Sequence, residues 1–388
     1  MASNDDLLAA IVRHQVDILR FSKGEALTAL GILDAADKDL VKRIASRSAN
    51  GLSSLGTSRL EEILQEVRDS RDQVFKRLKS TFNESLDGLA AHEVAFENAV
   101  LTASVPFVLD LKSVPAARLK ALAKDPVRGL PLDGWLDNMQ KADTDRLLQA
   151  LTLAAVEGDT IDQIIQRLGP GFATTRANTE ALARTAINHI SNKSREEVWL
   201  ANEDIIDGLR WTATLDGRTS PICQARDGQI APVGDNPLPS GSDPLNPPGA
   251  RPPAHFNCRS VMVPVIDGEA AIGDRPFIRD RRRPKERLKD FRADAKAKLG
   301  ADKWKTLSEA QRAKLIASER NAWAKIHIGQ VPAKTTYDQW LRKQPKAFHN
   351  EVLGPSRAKL FREGTTLDKF VDISGKTLTL EQLSLAGA

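Results

Sequence analysis

The sequence predicts a mainly α-helical protein with one small β-containing module, an α+β chain built as an extended, multi-part helical protein. The clearest helix signal is an apolar stripe at a spacing of three or four residues that includes Leu60, Ile63 and Val67. Aromatic residues make up only 5% of the chain, which favours helices rich in Ala and Leu over a β-sandwich. Short runs with the two-residue alternation of strands flank a proline-rich loop within residues 205–270.

The composition predicts a soluble protein without a membrane partner. Of the 388 residues, 41% are hydrophobic and 28% are charged, and the formal net charge is +5. No apolar run approaches the length that crosses a bilayer, and the first ten residues lack the charged-then-apolar pattern of a secretion signal. Two cysteines do not make a disulfide scaffold, so we expect synthesis in a reducing cytoplasm.

The first part of the chain divides by its composition into a helical region and a linker. Residues 1–104 are predicted to be helical on both sides of a Gly/Ser-rich break, and Ser58 with Glu61 forms the capping-box pattern that starts the second helix. Four prolines mark residues 105–136 as a linker or a docking arm with one short helix.

A module over residues 137–275 follows. Its helices are expected to resume near Asp143 and to stop at Gly169-Pro170, because proline removes a backbone donor and glycine is common after a helix end. The longest helix of the chain is expected to start near Thr175.

The last part of the chain carries a local positive charge. A basic segment at residues 276–299 precedes a helical C-terminal region at residues 300–388. Residues 279–298 hold ten Lys/Arg and four Asp/Glu, a net charge of +6 in a chain whose total is +5. Such a run is typical either of phosphate contacts or of a solvated helix face with internal ion pairs. The candidates for contact with DNA or an acidic protein are Arg279, Arg281, Arg282, Arg283 and Lys285.

The proline-rich loop has chemically distinctive residues at both of its ends. Eight prolines between residues 232 and 253 exclude a helix and a regular strand ladder, so a long loop must leave the module and return to it. Cys223 precedes this loop, and His255 and Cys258 follow it. We therefore expect these three side chains to meet and to hold the two ends of the loop together.

Three interpretations of the cysteine–histidine set are open. Thiolate and imidazole are the ligands that zinc prefers, although a closed structural site has four ligands and only three are visible here. The two cysteines alternatively form a disulfide, or stay free and buried while His255 hydrogen-bonds the loop. Apart from the zinc alternative, no cofactor is predicted.

No catalytic residue is predicted. His255 is followed by Phe256 and Asn257 instead of the glutamate of a zinc deaminase, and the sequence has no nucleophile elbow, Walker A or dinucleotide-binding motif. The alternative enzyme is a metal-dependent nuclease that combines His255 with Asp216 or Asp227. A DNA-binding accessory module without catalysis is the third class.

Four charged side chains beside the turns of the module are predicted to lock the loop. Arginine presents a fixed fork of donors to a carboxylate, so pairs between these arginines and aspartates would hold the turns in place. The four residues are Asp216, Arg218, Asp227 and Arg259.

Several of these segments also carry a family resemblance. TLDGRTSPIC, ARDG and PPAHFNCRS resemble the core signature of the phage Mu F-like minor head proteins, the phage head morphogenesis family. The resemblance extends upstream to the ARTA segment at 183–186 and to Asn188-His189, and downstream to TYDQWLRKQPKAFHNEVLGPSRAKLF. It covers roughly residues 140 to 385, and it identifies the module at 137–275 as a Mu F-like head morphogenesis module.

The resemblance implies a phage minor head protein that is present in several copies per virion. Such a protein is expected to associate with the portal protein at the special vertex, with the major capsid protein and packaged DNA as further partners. It would assist head assembly and DNA packaging or delivery, after assembly in the host cytoplasm. Two departures stand out: Ala186 occupies a position where the family often has an acid, and Ser220 and Ser260 stand where many members have cysteines.

Overall fold

The structure is a computed structural model that describes residues 4–47, 57–104, 111–122, 124–266, 269–270, 274–282 and 284–385. These residues form thirteen α-helices and seven β-strands, which confirms the predicted mainly α protein with a small β module. The helices are α1 (Asn4–Arg47), α2 (Thr57–Ser104), α3 (Ala116–Leu122), α4 (Leu132–Glu157), α5 (Ile161–Ala201), α6 (Pro221–Arg226), α7 (Pro284–Leu299), α8 (Ala301–Thr306), α9 (Glu309–His327), α10 (Tyr337–Arg342), α11 (Lys346–Leu353), α12 (Pro355–Arg362) and α13 (Leu380–Leu385). The strands are β1 (Gly208–Thr212), β2 (Leu215–Asp216), β3 (Ile230–Ala231), β4 (Val261–Ile266), β5 (Glu269–Ala270), β6 (Asp274–Ile278) and β7 (Ile328–Pro332).

Four long helices, α1, α2, α4 and α5, pack against one another as a bundle. One buried apolar cluster of the bundle includes Phe75, Phe82 and Leu136, and a second includes Ile63 and Leu147. The first hundred residues therefore share their core with the helices that lead into the β module. Among the described residues, no helix is both long enough and apolar enough to cross a bilayer.

The predicted helix stop at Gly169-Pro170 is wrong. Helix α5 continues through it over 41 residues with Pro170 inside. A proline within a helix costs about 3 kcal/mol because it removes one backbone hydrogen bond. Leu168 and Phe172 on either side are buried in the cluster shared with α4, and this packing offsets the cost.

Other predicted helix limits also differ from the structure. Helix α2, with 48 residues, exceeds the helix that was expected to be the longest. It begins at Thr57, one residue before the predicted cap at Ser58, while most of the Gly/Ser-rich break lies outside the described residues. Helix α4 begins at Leu132 instead of near Asp143, directly after Pro131, whose extended backbone ends the preceding irregular segment.

The strands form two small sheets. The first has the order β3-β1-β4-β5 with antiparallel neighbours, and the second has the order β2-β6-β7 with β2 parallel to β6. The alternation in the sequence predicted one buried face, but all six residues of β4 are buried. Apolar residues of α5, such as Trp199, and of the proline-rich loop, such as Leu245, belong to the same cluster as β4 and leave it no solvent face.

A helical excursion, which we call the basic arm (residues 279–327), connects β6 to β7. Because β6 and β7 are antiparallel neighbours, the arm leaves the sheet and returns to it at one place. Helices α7 and α9 pack on each other, and the ring centroids of Phe291 and Trp323 lie 5.8 Å apart. The boundary predicted between residues 275 and 276 falls inside β6.

The C-terminal helices pack around Tyr337, Trp340 and Phe361. Ser308 and Gln311 have the sequence pattern of a capping box, and they form this box at the start of α9. The closing segment contains one antiparallel bridge, between Val371 and Thr377, followed by α13.

Candidate functional site

The three predicted ligand residues meet at one point of the β module. The Sγ atoms of Cys223 and Cys258 lie 3.7 Å apart, and Nε2 of His255 lies 3.3 Å from Sγ of Cys223. Both thiols are free and buried, and the imidazole is half-buried. Oγ of Ser220 lies 2.7 Å from the same Nε2 atom. These residues bring the two ends of the proline-rich loop together.

Local structure fixes the orientation of each member of the cluster. Cys223 lies on the short helix α6, which Pro221 starts at a position where a missing N–H costs nothing. The backbone N–H of Cys258 donates a hydrogen bond of 3.1 Å to the carbonyl oxygen of His255, and this bond closes a tight turn. Nδ1 of His255 donates to the carbonyl oxygen of Phe256 at 2.8 Å, so in the neutral ring the Nε2 lone pair faces the thiols.

Helix α5 holds this turn through side chains of its ARTA and Asn-His segments. Oγ1 of Thr185 accepts a hydrogen bond of 3.0 Å from the backbone N–H of Asn257. Nδ2 of Asn188 donates to the carbonyl oxygens of Cys258 and Ser260 at 3.1 and 3.4 Å. The upstream and downstream motifs are thus parts of one interaction. No local pattern in the sequence predicts this contact, because the two motifs lie about 70 residues apart. The only signal was that both motifs resemble the same family.

The donor geometry fits three ligands of a zinc ion. Tetrahedral coordination with Zn–S bonds of about 2.3 Å separates two sulfurs by about 3.8 Å, and the observed separation is 3.7 Å. No fourth thiolate or imidazole joins the cluster among the described residues, where Ser220 offers a hydroxyl instead. The set therefore fits a three-ligand site with one open position and not a closed structural site. Zinc bound there would join the two loop ends, and its presence stays a prediction.

The pKa values of the two thiols are shifted in opposite directions. The hydrogen bond with Cys223 holds the pKa of Cys258 well below its usual range, and His255 lowers the pKa further against the opposing effect of burial. The same thiol–thiol hydrogen bond, together with burial, raises the pKa of Cys223 well above its usual range. The hydrogen bond between the two sulfurs therefore favours deprotonation of Cys258 over deprotonation of Cys223.

Asp216 is the acceptor for two of the predicted locking arginines. Nη1 and Nη2 of Arg259 donate to its two carboxylate oxygens at 2.6 and 2.8 Å. Nη2 of Arg218 donates at 3.2 Å, and the backbone N–H of the same residue donates at 2.9 Å. This bidentate pair ties the turn after β2 to the segment that carries Cys258.

The Asp216 pair predicts a specific acid sensitivity. Burial acts to raise the pKa of Asp216, but the hydrogen bonds and charge of Arg259 outweigh it and leave the pKa below the ordinary value of 3.8. A carboxyl with a depressed folded-state pKa stabilises the fold fully above its unfolded pKa, and loses this as the pH falls through the folded one. We expect Asp216→Asn to lower urea stability at pH 7, with a deficit that shrinks as the pH falls below about 4. A deficit that stays constant between pH 7 and pH 3 would contradict the ionised pair, and the exposed Asp235→Asn serves as the control.

Asp227 has different partners from those that the sequence suggested. Nη2 and Nη1 of Arg275 donate to its two oxygens at 2.6 and 2.9 Å. The backbone N–H groups of Ala213 and Tyr337 each donate at 2.6 Å. Arg275 lies on β6, 48 residues away in sequence, and no local pattern marked it as a partner. Asp227 thus joins the first sheet, the second sheet and α10.

The cysteine–histidine cluster lies in the part of the chain that matches a known protein family. Residues 145–263 match the family model described as Phage Mu protein F like protein. The chain therefore contains a Mu F-like region at these residues. The match begins in α4 and ends in β4, so the Mu F-like region contains the whole cysteine–histidine cluster and the α5 segments that hold it. No curated protein and no solved structure matches the chain.

The resemblance predicted downstream lies outside the matched residues. The TYDQW segment forms α10, and its Tyr337 hydroxyl donates to the backbone carbonyl of Asp216 at 2.7 Å. The downstream segment therefore packs directly on the Mu F-like region although the family match does not include it.

The described residues do not bring together the histidine and the carboxylates that a metal-dependent nuclease site would require. The cluster around His255 contains no carboxylate, and the two aspartates considered for it, Asp216 and Asp227, bind arginines instead. A divalent metal at a nuclease site takes oxygen ligands, usually carboxylates.

The predicted contact arginines have internal partners. Nη2 of Arg279 donates to the carbonyl of Ile326 at 2.8 Å, and Nη1 of Arg281 donates to the carbonyl of Glu351 at 2.6 Å. Arg282 pairs with two aspartates, one on each side of it in sequence. Arg283 lies outside the described residues, as does the side chain of Lys285.

Proposed function

We propose that the chain is a phage minor head protein that associates with the portal vertex and assists head morphogenesis and DNA packaging or delivery. The observation that carries the proposal is the Mu F-like match over residues 145–263, which includes every residue of the α5–loop interaction. The site supports a structural role, because its polar side chains are used to hold the loop and its neighbouring turns. Several copies around a portal ring would suit such a protein.

The basic arm is the part of the protein that we propose for contact with packaged DNA. Residues 279–327 contain sixteen Lys/Arg and seven Asp/Glu, a net charge of +9 in a chain with a total of +5. The rest of the protein is therefore net negative, and the positive charge is concentrated on one excursion. Helix α9 has no buried residue, so its side chains are accessible to a partner.

We assign the contact to the helical part of the arm, which we call the shaft (residues 284–327), and not to its base (residues 279–282). In the described part of the arm, seven exposed basic side chains have no acidic side chain within ion-pairing distance, whereas the base arginines are bonded internally. Three of the seven follow one stripe of α7 at spacings of three and four residues. The seven are Lys289, Arg292, Lys296, Lys303, Lys314, Arg320 and Lys325.

Fluorescence anisotropy with a labelled DNA duplex at several salt concentrations tests this assignment. Each phosphate contact contributes about 0.9 to the slope of log affinity against log salt, because neutralisation releases counterions. We expect the shaft variant Lys289→Gln/Arg292→Gln/Lys296→Gln to lower that slope by up to about 3. The matched control, Arg279→Gln/Arg281→Gln/Arg282→Gln, removes the same charge from the base and should change the slope less.

The same two variants, co-expressed with the portal protein of the same genome, separate the partners. Retention of wild type and both variants on portal rings, with DNA affinity lost only in the shaft variant, supports DNA as the partner of the arm. Loss of portal retention in the shaft variant with unchanged DNA affinity assigns the arm to the portal. Wild-type protein that neither binds DNA nor elutes with portal rings would overturn the proposed function.

A further inference from the structure

A second group of metal-ligating side chains lies far from the cysteine cluster in sequence, where α1, α2 and α5 meet. One ligand atom from each of His14, His92 and Glu93 lies within 4.8 Å of the other two. Two imidazoles and a carboxylate are a donor set that binds divalent first-row transition metals. The group lies outside the Mu F-like region, and the proposed function does not use it.

The carboxylate of Glu93 is held in one orientation by the surrounding helices. Its Oε2 accepts a hydrogen bond of 2.6 Å from Oγ of Ser191 on α5, while Oε1 faces Nε2 of His14 at 2.6 Å. Glu93 is fully buried, and one of its oxygens is fixed from behind, as in carboxylates that bind metals.

The pocket around this carboxylate contains more acidic groups than cationic ones. Glu97, one turn further along α2, is also fully buried, and its Oε2 atom has no hydrogen-bond partner. Arg195 is the buried guanidinium of this region, and its Nε lies 3.9 Å from Glu93. A divalent cation beside Glu93 would supply the missing positive charge.

The two histidines provide a fixed ligand and an open side. The ring of His14 stacks on Phe96 at a centroid distance of 3.6 Å and an interplanar angle of 12°, which fixes its plane. His92 is exposed, so its imidazole and water can complete a coordination shell from the solvent side. His92 takes no part in the hydrogen bond between His14 and Glu93, so that hydrogen bond does not explain why His92 lies close to both side chains.

We propose that His14, His92 and Glu93 bind one divalent transition-metal ion that fastens helix α1 to helix α2. Imidazole and carboxylate ligands suit Zn²⁺, Co²⁺ and Ni²⁺, and the open side leaves positions for water. The ion would add a bond between the first helix and the rest of the bundle, in a part of the chain that the family match does not include. The proposal does not depend on the proposed function.

Titration of the full chain with Co²⁺ tests the proposal and separates this site from the cysteine cluster. Cobalt bound to thiolates absorbs strongly through sulfur-to-metal charge transfer, whereas cobalt bound only to nitrogen and oxygen shows weak visible bands. We expect wild-type protein to show the weak bands, and His92→Gln to lose at least about tenfold in the corresponding affinity. His92 is exposed, so the fold of this variant should persist, and circular dichroism confirms it.

The control is His255→Gln, which removes a ligand of the cysteine cluster and should leave the weak bands unchanged. A second readout is thermal: Zn²⁺ should raise the unfolding temperature of His255→Gln but not that of the double variant His92→Gln/His255→Gln. Equal cobalt affinity and equal thermal shifts with and without His92 would overturn the proposal. The absence of the weak bands in wild type would do the same.

Discussion

Asp227→Ala is expected to destabilise the protein by about 3–5 kcal/mol at neutral pH, because it leaves a buried charge without its partner. The Asp227 side chain is fully buried and accepts four hydrogen bonds, two of them from Arg275. The side chain of Arg275 is only 4% exposed, so water cannot replace the carboxylate. Urea unfolding followed by circular dichroism measures the loss.

Two further variants show whether the unpaired charge is the cause. Asp227→Ala/Arg275→Met removes both members of the pair, and apolar replacement of a buried pair is often close to neutral, so we expect partial recovery. Asp235→Ala removes an exposed aspartate of the same Mu F-like region and should stay within about 0.5 kcal/mol of wild type. A loss for Asp227→Ala below about 1 kcal/mol would mean that the pair does not join the two sheets.

The sequence predicted the meeting of Cys223, His255 and Cys258 because the proline-rich loop limited where its two ends could go. The capping box at Ser308 can likewise be recognised from local sequence, since it involves residues only three apart. Neither inference needed information about distant parts of the chain.

The partners of the charged residues could not be predicted in the same way. Asp227 pairs with Arg275 across 48 residues, and the intervening loop gives no periodic signal for that contact. The continuous helix through Pro170 was missed because the cost of proline is local, whereas the packing of Phe172 that offsets it comes from α4. Long-range burial overrides local preference at both positions.

Arg71→Met is expected to cost about 3–5 kcal/mol at neutral pH, since it removes a buried positive charge that two buried carboxylates share. Nη1 of Arg71 lies 2.7 Å from Asp37 on α1 and 3.4 Å from Asp143 on α4. The guanidinium carbon also lies 5.8 Å from the ring centroid of Phe172 on α5. This one side chain therefore connects all four helices of the bundle, and with them the N-terminal helices to the Mu F-like region.

The loss should depend on pH in a defined direction. Burial raises the pKa of Asp37 even with Arg71 present, and removal of the arginine removes the largest opposing influence. A carboxyl with a raised folded-state pKa binds its proton more tightly in the folded protein, so lowering the pH towards that pKa restores stability. We expect the deficit of Arg71→Met against wild type to be smaller at about pH 5 than at about pH 8.

The matched control is Arg77→Met, the same substitution at an exposed position of the same helix. It should remain within about 0.5 kcal/mol of wild type and show no such pH dependence. If Arg71→Met proves no more destabilising than Arg77→Met, the buried network does not hold the bundle together. Because α1 and α2 share their core with α4 and α5, we expect the cysteine cluster to lose its amide-exchange protection in the same transition as the bundle.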